Sequence, residues 1–128
     1  MSDSNGISPV VAIANAAGSA GKTTTAVTLA TLLGERRRVL VIDGDAQATT
    51  TKWFGVKPAA GQPTIADVLL RRASLAEAVV DTGVQGVQLV PADWGLDAAV
   101  LELAAVRAGE QRLRLALEGR DPEVTVLI

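Results

Sequence analysis

Two continuous apolar runs, Val10-Val-Ala-Ile-Ala14 and Val39-Leu-Val-Ile42, enclose a stretch of small residues followed by an amphipathic segment. No other feature restricts the fold as strongly. Each run has strand length and is apolar at every position, the pattern of strands buried on both faces of a sheet. Pro9 leads into the first run. After it, Asn15-Ala-Ala-Gly-Ser-Ala-Gly21 consists of residues small enough to bring backbone close to a ligand. From Lys22 to Leu33, the residues Ala26, Leu29, Ala30 and Leu33 share one helical face, and Gly34 is a stop signal. Strand, glycine loop, helix and strand make a βαβ unit with a right-handed crossover.

The remaining chain continues in the same style. The segment Ala46–Gly61 reads as irregular, with a brief helix around Trp53-Phe54. Thr64-Ile-Ala-Asp67 and Ser74-Leu-Ala-Glu77 have the spacing of capping boxes, each opening a short helix. Val87-Gln-Leu-Val90 is a third strand, Leu96–Val106 and Glu110–Leu117 are helices broken near Gly109, and Val124-Thr-Val-Leu-Ile128 is a fourth strand. The expected fold class is α/β, a mostly parallel twisted sheet with helices on both faces. Residues 1–8 read as a disordered polar tail, and residues 9–128 as one α/β domain.

Composition narrows the chemistry. The chain has no Cys and no His, which excludes thiol nucleophiles, disulfides, histidine bases and zinc sites of the usual kind. Catalysis must then run on carboxylates, Lys, hydroxyls, backbone amides or a hard cation such as Mg²⁺. With two Trp, one Phe and no Tyr, the core must be aliphatic. A formal net charge of −2 gives no global attraction to nucleic acid. No apolar run reaches the roughly 18–20 residues of a membrane span, so a cytoplasmic location is expected.

Gly18-Ser-Ala-Gly-Lys-Thr-Thr24 stands between the first strand and the first helix. Nucleotide binding there would involve Gly18, Ser19, Ala20, Gly21, Lys22, Thr23 and Thr24. A phosphate loop needs inward backbone N–H groups, positive charge and a hydroxyl for Mg²⁺. The two glycines let the backbone curl, Lys22 reaches the β/γ-phosphates, and the Thr23 hydroxyl serves the metal. The second half of G-x-x-x-x-G-K-[ST] is complete, but Ala16 stands where the first Gly belongs. A glycine-rich turn with an exposed Lys is the plainer reading. A dinucleotide-binding Rossmann turn is the sharper rival, because Asp43 follows Gly21 by 22 residues at the end of the second strand. Lys-Thr-Thr has no role in that arrangement, and Asp45 would be left unexplained.

These residues resemble the ParA/Soj branch of the deviant-Walker, P-loop NTPase-like partition ATPases related to MinD. That family reads A-N-x-K-G-G-V-G-K-T-T-T and then D-x-D-P-Q-x-N-A-T. This chain has Ala14-Asn-Ala-Ala-Gly-Ser-Ala-Gly-Lys-Thr-Thr-Thr25 and Asp43-Gly-Asp-Ala-Gln-Ala-Thr-Thr-Thr51. Leu89-Val-Pro-Ala92 is similar to the family's third strand. The resemblance implies an ATPase acting in plasmid or chromosome segregation with ATP and Mg²⁺ as cofactors. Lys22 would be the phosphate lysine and Asp45 the catalytic aspartate that positions water. Thr23 and Asp43 would serve the metal, the latter from its second shell, and Gln47 would belong to a switch-like loop. A homodimer, a centromere-binding ParB-type protein and non-specific DNA are the implied partners, and nucleoid association the implied location. The runner-up within the same chemistry is a nucleotide-binding regulatory or scaffolding module with little turnover.

The chain departs from that pattern in places. The family's cross-dimer lysine falls at Ala17, the following glycine pair is Gly18-Ser19, and the Pro after Asp45 is Ala46. The family's D-x-P-P stretch after the fourth strand would begin just past Ile128, so the domain is expected to be incomplete at its C-terminal end. Trp53, Phe54 and Trp94 are expected to pack as core or cover, Arg36–Arg38 to form a solvated turn, and the apolar stripe over 96–117 to be core.

Overall fold

The computed structural model describes residues 10–13, 20–105, 111–118, 120 and 125–127. The expected tail, Gly18 and Ser19, and the break near Gly109 lie outside the described residues. Five strands form one sheet in the order β1-β5-β2-β4-β3. They are β1 (Val10–Val11), β2 (Val39–Ile42), β3 (Val80–Asp81), β4 (Val87–Val90) and β5 (Thr125–Leu127). All neighbouring pairs are parallel except β3 with β4. The helices are α1 (Ala20–Gly34), α2 (Thr49–Trp53), α3 (Ile65–Leu69), α4 (Leu75–Ala78), α5 (Gly95–Ala104) and α6 (Arg112–Glu118).

All four residues of β2 are buried, as its unbroken apolar sequence requires. Its side chains alternate between two clusters. Val39 and Val41 join Val87, Leu89 and Ala30 of α1, with Leu29 and Leu33 packed against them. Leu40 and Ile42 join Val90, Ile65, Val68, Leu75, Leu96 and Leu117 on the side of α3 to α6. Helices therefore cover both faces, and an aliphatic core suffices. Both capping boxes form as the spacing predicts. Thr64 N–H donates to Asp67 Oδ2 at 2.9 Å, and Ser74 N–H donates to Glu77 Oε1 at 2.9 Å. The Ser74 backbone bond, and then its side-chain bond, hold the Glu77 carboxyl below the usual range.

The two strands of the expected βαβ unit are parallel members of one sheet, with β5 inserted between them. Two features differ from expectation. The strand β3 has no counterpart in the sequence reading. It spans two residues, too few for a period, and closes an antiparallel hairpin with β4. Trp53 and Trp94 do not pack as core, being 63% and 68% exposed, and Leu101 in the expected core stripe is also exposed. Phe54 is half-buried against the α1-side cluster. Small aliphatic residues fill the space between sheet and helices, so the two indoles are left at the surface.

Candidate functional site

The C-terminal ends of parallel strands are where an open α/β sheet binds ligands. Here β1 ends near Ala12 and Ile13, and β2 ends at Asp43-Gly-Asp45. A cleft of about 200 Å³ lies between them and the start of α1, lined by Ala12, Ile13, Lys22, Thr23, Ala26, Asp43, Gly44, Asp45 and Thr50. Four expected site residues, Lys22, Thr23, Asp43 and Asp45, thus converge on one space. Lys22 is half-buried, and Thr23 is buried in the first turns of α1. Ala20 opens the same helix, and Gly21 and Thr24 are exposed on it and do not line the cleft. Gly18 and Ser19 lie outside the described residues.

Asp43 is almost wholly buried, at 3% exposure. Its N–H continues the sheet by donating to the Val90 carbonyl at 3.1 Å. Its carboxylate accepts from Asp45 N–H at 3.1 Å on one oxygen. On the other it accepts from Thr51 N–H at 2.9 Å and from the Thr51 hydroxyl at 2.6 Å. The Thr51 oxygen in turn accepts from Ala92 N–H at 3.1 Å. One buried threonine therefore joins the end of β2, helix α2 and the segment leaving β4. The sequence reading assigned Thr51 no role, although it closes the quoted Asp43–Thr51 motif. Only the fold reveals that Ala92 is its third partner.

Asp45 is half-buried, and its Oδ1 accepts from Gln47 N–H at 2.9 Å. Ala48, which closes this turn, holds a left-handed φ of 57° while buried. A non-glycine residue in that region costs about 1–2 kcal/mol, so the surrounding contacts over-determine the turn. Gln47 itself is exposed.

The donor set suits a hard cation. Thr23 and Asp43 offer oxygen atoms, and no cluster of three acidic, His or Cys residues is present among the described residues. That composition fits Mg²⁺, which takes few protein ligands and draws the others from phosphates and water. It fits a dinucleotide site less well, since Lys22 and Thr23, which share the cleft with Asp43, have no role in binding a pyrophosphate that way.

Comparison with known proteins agrees with this geometry. The AAA domain family matches residues 8–122. The chromosome partitioning protein ParA of Caulobacter vibrioides is 40% identical over 110 residues, covering 85% of this chain and 41% of its own length. Among solved structures, cobyrinic acid a,c-diamide synthase from Mycobacterium smegmatis with bound ADP and magnesium superposes with a TM-score of 0.86. It has 32% identity and covers 94% of this chain and 50% of its own. The Cyanothece McdA–ATP complex also gives a TM-score of 0.86, with 28% identity, covering 94% of this chain and 47% of its own. This chain thus spans about half or less of the length of the proteins it matches. No helix among the described residues is long and apolar enough to cross a membrane. The P-loop NTPase-like α/β fold, the matched family and the ParA relatives point the same way: the chain belongs to the AAA domain family and stands among ParA/Soj-type partition proteins.

Proposed function

We propose that this chain is the nucleotide-binding part of a ParA-type ATPase that uses Mg²⁺-ATP in plasmid or chromosome segregation. The observation that carries the reading is the convergence of Lys22, Thr23, Asp43 and Asp45 on one cleft at the C-terminal end of a parallel sheet. Lys22 neutralises phosphate charge, and backbone amides from Gly18 to Thr24 cradle the phosphates. Thr23 would offer its hydroxyl to the metal, and the Asp43 carboxylate in the same cleft would add negative charge that favours a cation there. Magnesium, when bound, neutralises charge on the phosphate oxygens. Asp45 orients the attacking water. Phosphoryl transfer needs this positioning and charge more than covalent chemistry, so a chain without His or Cys can perform it.

The same reading extends to a homodimer, a ParB-type centromere-binding partner, non-specific DNA, and a cytoplasmic, nucleoid-associated location. Residues 9–128 form its nucleotide-binding domain. Ala17, at the family's cross-dimer lysine, predicts a dimer whose nucleotide is less tightly bridged. The test is calorimetric titration of the chain with ADP-Mg²⁺ beside Lys22→Ala. Loss of charge-assisted hydrogen bonds to phosphate should weaken binding by about a hundredfold. Unchanged affinity would overturn the phosphate-loop assignment, and preferential binding of NAD(H) would restore the dinucleotide alternative.

A further inference from the structure

A second concavity, of about 510 Å³, lies away from the nucleotide cleft between the α3–α4 turn and α6. Its rim carries Arg71, Arg72 and Arg112, against one acidic lining residue, Glu77. The Glu77 carboxylate already accepts from Ser74 N–H. In a chain of formal net charge −2, the described lining residues carry a local excess of positive charge. Arg71 has no ion-pair partner among the described residues. Arg72 stands 3.9 Å from Glu102, both side chains being well exposed, a geometry worth little in water. Arg112 donates to the Leu69 carbonyl at 3.1 Å, which ties α6 to the end of α3 and holds a guanidinium at the rim. The floor is apolar, with Val68 and Leu75 buried beneath and Leu115 40% exposed at the edge.

Arg71 also occupies a costly position. Helix α3 ends in a Schellman arrangement, with Arg72 N–H donating to the Asp67 carbonyl at 2.8 Å and Arg71 N–H to the Val68 carbonyl at 3.2 Å. The residue between must be left-handed, and Arg71 has a φ of 60°. Glycine would be relaxed there. Backbone preference does not account for an arginine here, and its side chain has no ion-pair partner among the described residues.

We propose that this groove docks an acidic, apolar-containing peptide segment of a partner protein. The charge of the rim selects carboxylates, and the apolar floor selects side chains such as Leu between them. A nucleic-acid backbone would match the rim but would leave the floor and Leu115 uncovered. The groove lies apart from the nucleotide cleft, so the inference does not depend on ATP chemistry.

The experiment is fluorescence anisotropy with a short labelled Glu/Leu peptide, a Gln/Leu peptide of equal length, and a labelled DNA duplex. The chain is compared with Arg71→Gly and Arg72→Gln. The Glu/Leu peptide should bind best and weaken as salt rises. Arg71→Gly should reduce its affinity about five- to tenfold, as expected for one charge-assisted contact, while the melting temperature stays level or rises because the turn relaxes. Arg72→Gln should give a similar loss. No binding of the Glu/Leu peptide, equal binding of the Gln/Leu peptide, or equal binding by Arg71→Gly would each overturn the proposal. So would tighter binding of the duplex that Arg71→Gly weakens.

Discussion

At the N-terminal end of the paired strands β2 and β4, main chain meets main chain; at their C-terminal end, side chains stand between. The first junction brings the end of α1 against the β3–β4 turn. Val39 N–H donates to the Gly86 carbonyl at 2.8 Å, and a Cβ on Gly86 would collide with the Gly34 carbonyl. A Cβ on Gly34 would likewise strike the Gln85 carbonyl oxygen. At the second junction the Asp43 carboxylate and the Thr51 hydroxyl take up the backbone donors of three segments. Glycine contact gives the shortest spacing at the first junction. The carboxylate–hydroxyl clamp joins its segments through side chains and leaves a cleft beside it. One end of the sheet is drawn closed by main-chain contact, and the other is kept open beside a buried carboxylate.

The contrast can be broken at the closed end first, where the largest loss of stability is expected. Gly86 has a φ of 74°, and an added Cβ would also lie 3.0 Å from the Arg37 carbonyl oxygen. Gly86→Ala combines left-handed strain with a clash against backbone that cannot swing away, so it should cost about 3 kcal/mol or more. Urea denaturation reads this as a lower midpoint at unchanged slope. A loss under about 1 kcal/mol would mean that the α1 end and the turn move apart freely.

The open end should answer next. Thr51→Val keeps the shape but removes the hydroxyl, leaving the buried Ala92 N–H unpaired and Asp43 short of one donor. Stranded buried polar groups cost about 1–3 kcal/mol, so a loss of about 2 kcal/mol is expected, with Thr51→Ser recovering most of it. Nucleotide affinity should fall as well, since Asp43 lines the cleft. If Thr51→Val lowered stability and left ADP-Mg²⁺ affinity untouched, the clamp would be structural only.

What could be read from the sequence follows this same division. The first helix, both capping boxes and the buried character of β2 rest on spacings of two to four residues, and they form as read. The convergence of Lys22 and Thr23 with Asp43 and Asp45 was legible too, because one helix and one strand deliver all four. The insertion of β5 between β1 and β2 was not, since strand order depends on pairing across most of the chain. Thr51 was invisible as a clamp for the same reason: its partner Ala92 lies 41 residues on. The exposed indoles of Trp53 and Trp94 misled because residue type predicts burial only on average. The left-handed Arg71 had no sequence signal, as its place is ordinarily glycine's.

The smallest change in stability should come from Asp45, where two roles overlap and can be separated. As a turn residue, Asp45 uses Oδ1 to accept from Gln47 N–H, a short-range bond that fixes the strand-to-helix bend. As the proposed catalytic residue, it uses its charge to orient water. Asp45→Asn retains an oxygen for the Gln47 amide and removes the charge. Its stability should lie within about 0.5 kcal/mol of the parent. Asp45→Ala loses both functions and should cost about 1 kcal/mol through the lost hydrogen bond. ATP affinity should be similar in all three proteins, because a positioned water contributes to the transition state rather than to ground-state binding. Phosphate release by the full-length protein should then fall about a hundredfold in both variants, within the range for a positioned general base. If Asp45→Asn kept the parental rate and only Asp45→Ala lost it, the charge would be irrelevant. Asp45 would then be a turn residue whose loss misplaces Asp43, and the water-positioning group would have to be sought elsewhere along the cleft.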